Sequence, residues 1–333
     1  MLSHYYETMI HPKRVVILGA HGFVSSHLKD LLTCSGVPMR LVSSREADLT
    51  QSESVACLAN IFHNDDTVVM TSALTPEKGK DYSITMANLR MAETLCAALE
   101  ISCPAHLIYL SSDAIYDAQK IPLDEDSSRE PIDLYALMHT AREMMLENLA
   151  KKLSLPLCIL RPTSLYGCGD THKNYGPNRF IASALKDQKI VLFGRGEERR
   201  NHLYIKDAVQ LIWLVCGYRS EGVLNLVADR SWSFLQIAQL IKDFLSFSVE
   251  FDFQKRTLPI IHKPYKPTQV FRFLYNLGRP ITPVVHRPFH ISALRRAFPQ
   301  FKFTPIRNGL SETIRDHMSS TLEGDATRST PLP

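Results

Sequence analysis

The stretch RVVILGAHGFVSSHLKDLL, residues 14–32, narrows the possible folds more than any other part of this chain. Arg14–Leu18 is a β-branched run that halts at Gly19, and Val24–Leu32 then carries apolar residues at helical spacing, which gives strand, glycine turn and helix. The same alternation continues. Met39–Val42 reads as a second strand after Gly36 and Pro38, Thr67–Thr71 as a buried strand, and Ser83–Leu99 as an amphipathic helix. His106–Leu110 follows as a strand, Tyr135–Leu153 as a long helix and Leu157–Leu160 as another strand. Strands alternating with helices over about 165 residues require crossover connections, hence an α/β fold with a doubly wound parallel sheet that binds ligands at the carboxyl ends of its strands.

Beyond Gly167 the pattern loosens into loops rich in Gly, Pro, Asn and Arg, with helices expected near Arg179–Lys186, Lys206–Cys216 and Ser233–Phe247. A chain of 333 residues, 45% hydrophobic and 22% charged, is long enough for one large domain or for two lobes sharing a cleft. The basic, proline-rich segment His262–His290 reads as a long binding loop, and SSTLEGDATRSTPLP as a fraying tail. The net charge of +4 is too slight and too dispersed to mark a nucleic-acid or membrane surface. The opening residues lack the apolar core of a signal peptide, and no run of 18 apolar residues offers a membrane span. Seven cysteines, an odd number with no CxxC pair, read as buried reduced thiols, which suits a cytoplasmic location. No His, Cys or carboxylate cluster has zinc spacing, so no metal is expected, and His172 and His202 read as loop or packing residues.

Gly19-Ala-His-Gly22-Phe-Val-Ser25 sits between a strand and a helix, so Gly19 makes the tight turn and Gly22 lets backbone N–H groups approach a pyrophosphate at the positive helix end. The third position, which serves helix-to-strand packing, holds Ser25 instead of glycine. The second strand ends in Ser43-Ser44-Arg45 where an acidic residue would favour NAD; Arg45 can pair with a 2′-phosphate, which favours NADP.

These motifs, in this order, resemble an extended short-chain dehydrogenase/reductase of the NAD-dependent epimerase/dehydratase family, whose members act on nucleotide sugars. GAHGFVS resembles the family's glycine loop, Asp48-Leu49 its adenine contact, Thr71–Leu74 its alanine-containing turn, and Asn88 the asparagine on the helix behind the cofactor. LIYLSSDAIYD aligns Ser112 with the catalytic serine or threonine, LYALMHTARE aligns Tyr135 with the catalytic tyrosine, and RPTSLYG resembles the segment beside the nicotinamide. GRGEERRNHLYIKDAV resembles the motif in which Arg200 touches a diphosphate and Asp207 holds the following helix.

The resemblance implies an NAD(P)-binding Rossmann-like domain over residues 12–168, to which segments at about 201–230 return, and a smaller C-terminal substrate-binding lobe over 169–318, followed by a flexible tail, 319–333. It implies cofactor contacts from Gly19, His21, Gly22, Phe23, Val24, Ser44, Arg45, Asp48, Leu49, Ala73, Asn88, Ser111, Tyr135, His139 and Pro162. Substrate contacts fall to Ser112, Ser164, Arg200 and Arg279, with Arg195, Arg199 and Arg287 as further candidates, since a guanidinium matches phosphate oxygens in a fork. A homodimer built from two helices per subunit, including the one bearing Tyr135, is implied as well.

Two positions depart from the family pattern. Ser164 stands where many epimerases carry an asparagine, and His139 stands at the lysine of the YxxxK motif. A free tyrosine has a pKa of about 10, so removing a sugar hydroxyl proton needs a nearby cation to favour the tyrosinate. Histidine, with a pKa of about 6.5, is charged only part of the time near neutrality and reaches less far than lysine. Tyr135 and His139 still share a helix face, one turn apart. The expected function is therefore NAD(P)-dependent epimerisation, or reduction, of a nucleotide sugar through Ser112, Tyr135 and His139. Dehydration is disfavoured because Asp113 is followed by Ala114 and not by a second acid. The alternative is a catalytically impaired NAD(P)-binding regulatory or structural subunit.

Overall fold

The computed structural model describes residues 2–116, 121–170, 176–255 and 286–326. Its centre is a seven-stranded sheet built from β1 (Ser3–His4), β2 (Arg14–Leu18), β3 (Met39–Val42), β4 (Asp66–Met70), β5 (His106–Leu110), β6 (Leu157–Pro162) and β11 (Ser220–Leu226). The spatial order is β1-β11-β6-β5-β4-β2-β3, parallel throughout except that β1 runs antiparallel to β11. The chain leaves β2 toward β3 on one side and then crosses to β4 on the other. That reversal opens a crevice at the carboxyl ends of β2 and β4, where doubly wound sheets bind ligands.

β2 shows why the layers form. Its side chains alternate between the two faces: Val15 and Ile17 pack with Leu28 and Leu32 of α1 (Phe23–Cys34) and with Leu211 and Ile212 of α6 (Ile205–Tyr218). Val16 and Leu18 pack on the other face with Leu58 of α2 (Ser54–Ile61), Leu95 of α3 (Tyr82–Ile101) and Leu146 of α4 (Leu134–Leu153). β4 starts at Asp66, one residue before the expected Thr67, although Asp66 is fully buried. Its carboxylate accepts from Arg14 Nε at 2.8 Å, Arg14 Nη2 at 2.6 Å and His63 N at 2.7 Å, so burial leaves no oxygen unsatisfied.

Outside the central sheet lie α5 (Gly176–Asp187), the parallel pair β8 (Lys189–Phe193) and β13 (Glu250–Gln254), and α7 (Phe234–Phe244). Ser233 and Gln236 form a capping box at the start of α7, which is why this helix begins one residue later than its pattern indicates. Short pairs form as well, β7 (Leu165–Tyr166) with β10 (Leu203–Tyr204) and β9 (Arg199–Arg200) with β12 (Trp232–Ser233). The chain ends in α8 (Ser292–Ala297) and α9 (Ile306–Ala326), which runs past Ser319, where the tail was expected to start. All seven cysteines are free thiols; Cys158 and Cys216 are buried, Cys34 is exposed and the other four lie between, so burial is less general than their apolar neighbours imply.

Candidate active site

Gly19, with φ +105°, turns the chain out of β2, and a side chain there would place its Cβ 2.9 Å from both Ser72 Oγ and Thr71 Oγ1. The glycine is needed as much for this close approach of the β4 loop as for the turn. Gly22 precedes α1 in extended conformation, and no side chain caps the helix. The first N–H groups of α1 are thereby left to an anion. Ser25 is fully buried, 2.7 Å from Thr71 Oγ1; because Thr71 donates to the Leu18 carbonyl at 2.8 Å, Ser25 is the donor to Thr71. Serine at this packing position therefore ties α1 to the strand ends. Val24 is buried, Phe23 half-buried against His27, and His21 exposed.

Asn88, fully buried, accepts from Leu74 N at 2.9 Å and donates to Leu74 O at 3.0 Å, so its amide holds the turn that carries Ala73. Ser44 and Arg45 are exposed at the end of β3, Leu49 is buried, and Asp48 accepts from Thr50 N and Oγ1.

Ser111 and Ser112 follow β5, and Tyr135 lies in the first turn of α4, which Asp133 caps by accepting from Ala136 N at 2.8 Å. Burial pushes the Tyr135 phenol up to about 12; Ser112 beside it opposes burial, Asp113 and Glu77 add to it, and Arg142 opposes it. His139 stands edge-on to Tyr135, ring centroids 4.7 Å apart, and its Nδ1 lies 2.7 Å from the Tyr109 hydroxyl. Burial holds His139 down at about 3, with the Arg142 charge acting in the same direction. The expectation of a partly charged imidazole is corrected: this ring is neutral at physiological pH. Its Nε2 is buried and has no hydrogen-bond partner among the described residues.

Behind these groups, Ser111 donates to Glu143 Oε1 at 2.5 Å, and Arg161 grips the same carboxylate through Nε at 3.0 Å and Nη2 at 2.7 Å. The Ser111 side chain thus faces the protein interior. Pro162, half-buried, ends β6 beside this pair. Tyr109, Arg142 and Glu143 are site residues that the sequence reading did not single out; their spacing from Tyr135 along one helix face was the available signal for the last two.

Arg200 is paired with Glu198, Nη2 to Oε1 2.6 Å. A backbone bridge joins Arg200 to Arg287, whose buried guanidinium reaches Asp113 Oδ2 at 3.5 Å. Arg287 is therefore brought to the cleft, next to Ser112, while Arg279 and His172 lie outside the described residues. Ser164 is half-buried, its carbonyl accepting from Leu203 N at 3.0 Å. Arg199 bonds Ser231, and Asp207 accepts from Thr304 N and Oγ1, tying α6 to the segment before α9. His202 is buried against Phe234. Among the described residues the one group with metal-like geometry is His63, Asp65 and Asp66, at the amino end of β4 and away from the cleft.

The glycine approach, the uncapped α1 and the orphaned His139 Nε2 all fit a dinucleotide lying over the carboxyl ends of the strands. The profile of the NAD dependent epimerase/dehydratase family matches residues 15–226. The chain belongs to the NAD-dependent epimerase/dehydratase family. A curated relative of this family member is the dTDP-D-glucose 4,6-dehydratase of Mus musculus, 25% identical over 262 residues that cover 69% of this chain and 74% of the relative. Among solved structures it resembles the GDP-L-fucose synthetase of Naegleria fowleri bound to NADP, with a TM-score of 0.79, 17% identity, and coverage of 95% of this chain and 97% of that one. It also resembles the Thermus thermophilus UDP-glucose 4-epimerase in complex with NAD, with a TM-score of 0.72, 18% identity, and coverage of 92% and 99%. The epimerase/dehydratase member described here is thus an enzyme of a nucleotide-sugar family.

Proposed function

We propose that the protein epimerises, or reduces, a nucleotide-linked sugar with a nicotinamide cofactor. The observation that carries this reading is the placement of Ser112, at the carboxyl end of β5, beside the Tyr135 phenol in the first turn of α4. Tyr135 takes the proton from the reacting sugar hydroxyl or returns it, and Ser112 holds the same oxygen in place. When bound, the nicotinamide supplies the hydride acceptor and donor. Gly19, Gly22 and the first turn of α1 hold the pyrophosphate, and the Asn88-braced turn around Ala73 walls the cofactor. The exposed Ser44 and Arg45, in place of an acid, favour NADP over NAD.

Arg200 and Arg287 are the candidates for the sugar-nucleotide diphosphate, each exchanging a carboxylate partner for phosphate; Arg279, outside the described residues, remains a candidate for the fork of its guanidinium alone. Dehydration stays disfavoured, because Asp113 stands alone and faces Arg287. Exposed Met86 of α3 and exposed Leu137 and Met144 of α4 support a homodimer through these two helices. The free thiols support a cytoplasmic location. No helix among the described residues is long and apolar enough to cross a membrane.

The neutral His139 is the observation that favours the second reading, a cofactor-binding subunit without turnover. Wild-type protein and Tyr135→Phe are to be incubated with NADP or NAD and a panel of nucleotide sugars between pH 6 and 10. Turnover is expected in the wild type, and a fall of roughly 10²–10⁴-fold in the variant with cofactor binding retained. Cofactor binding with no turnover at any pH would replace the enzyme by the second reading.

A further inference from the structure

Arg142 is one of the largest side chains with no solvent exposure at all, and no ion pair joins it to a carboxylate among the described residues. Its Nη2 donates to the Ser72 carbonyl at 2.9 Å and lies 3.3 Å from Met70 Sδ, while Nη1 reaches Asn88 Oδ1 at 3.5 Å. Nε has no partner, and the guanidinium stands 5.1 Å from the centroid of the Tyr109 ring. Neutral oxygens, two thioethers, Met138 Sδ at 3.9 Å being the second, and a π-face leave the net charge uncancelled among the described residues. Arginine cannot shed its proton to escape this, so a full positive charge is fixed inside the protein. A charge kept at such a cost invites the question of what it acts on.

Positions 135, 139 and 142 are spaced i, i+4 and i+7, on one face of α4, and helical side chains lean toward the amino end, which brings the guanidinium back toward Tyr135. Tyr109 links the row: its ring receives Arg142, and its hydroxyl meets His139 Nδ1, whose ring touches Tyr135. The groups facing the phenol are Ser112 and Asp113 after β5, Glu77 before α3 and His139 on its own helix. Those facing Arg142 are Tyr109 on β5, Asn88 and Cys96 on α3, the Ser72 carbonyl after β4 and His139 on its own helix.

We propose that Arg142 is a positioning residue for the reaction, supplying through its fixed charge the stabilisation of the Tyr135 tyrosinate that His139 cannot provide. The inference rests on Tyr135 as the acid/base. Asp113 and Glu77 both favour the protonated phenol, and Arg142 is the charge set against them. The competing account makes Arg142 only a tie between α4 and the Ser72 turn.

The test installs a fluorinated tyrosine, whose phenol is more acidic than tyrosine's, at position 135 of the full chain. Its ionisation is followed by fluorine NMR with neither cofactor nor sugar present. Arg142→Met is expected to raise the midpoint by about one pH unit or more, and Arg142→Lys to leave it near the parent value. A midpoint unmoved by Arg142→Met in a folded protein, or moved equally by Lys and Met, overturns the proposal. Should Arg142→Met not fold, Arg142→Gln is titrated against Arg142→Lys by the same criterion. Since no substrate is added, a shifted midpoint in a protein without turnover would overturn the nucleotide-sugar reading alone.

Discussion

At position 139 the protein carries an imidazole that is neutral, buried and bonded to a second tyrosine, where the sequence leads one to expect a weak cation. His139→Lys, which on sequence grounds should raise activity, instead buries an ammonium in the neighbourhood of Arg142, a like charge. We expect the single variant to gain nothing, and His139→Lys combined with Arg142→Met to exceed Arg142→Met alone by about tenfold in kcat near pH 8, the equivalent of one pKa unit. Equal rates for the two would show that an ammonium at 139 does not reach the phenol. Tyr135 and His139 were legible as a pair because one motif fixes their spacing, and Ser112 through the separate motif that ends β5. Arg142 was not, since an arginine in a helix reads as a solvated face until the fold shows α4 lying against α3 and β5 on that side.

The cap of α4 matters beyond its helix, because Tyr135 sits in the turn that Asp133 closes. Asp133→Ala is expected to lower stability by about 1 kcal/mol in urea unfolding and to lower kcat as the first turn frays and the phenol loses its place beside Ser112. An unchanged kcat would show that packing alone holds the turn. Elements with a strong local pattern were readable: β2 falls on its β-branched run, β3 and β5 on their short apolar runs, and α4 begins within one residue of its expected start. What escaped depends on distant partners. β1 has only two residues and exists because Ser3 and His4 pair with Glu221 and Ser220. β8 and β13, some sixty residues apart, form strands by pairing with each other. α2 has eight residues and too few turns to show a period.

Among the described residues, three buried histidines couple folding to pH. Burial is the main cause that holds His106 at about 4 and His139 and His202 at about 3, against about 6.5 in an unfolded chain. The unfolded chain therefore binds protons that the folded one refuses: this stabilisation is complete above pH 6.5 and is lost as pH falls toward 4 for His106 and toward 3 for His139 and His202. One unit below 6.5 each ring forfeits about 1.4 kcal/mol, so the three together cost on the order of 4 kcal/mol. Urea unfolding at pH 7.5 and 5.5 measures the difference, and equal midpoints would mean that the rings accept protons without unfolding.

The antiparallel pairing of β1 with β11 covers Ser220 and Glu221 at the start of that strand's outer edge, which would otherwise present unpaired N–H and C=O groups along one margin of the sheet. His4 secures it, with Nδ1 2.8 Å from Ser220 Oγ and Nε2 2.9 Å from the Ala297 carbonyl. β1 itself, only two residues long, leaves little for another molecule to add to. Deleting residues 1–8 should accordingly leave the cleft intact and turn the margin of β11 into a template for intermolecular strand addition, seen as concentration-dependent aggregation in light scattering.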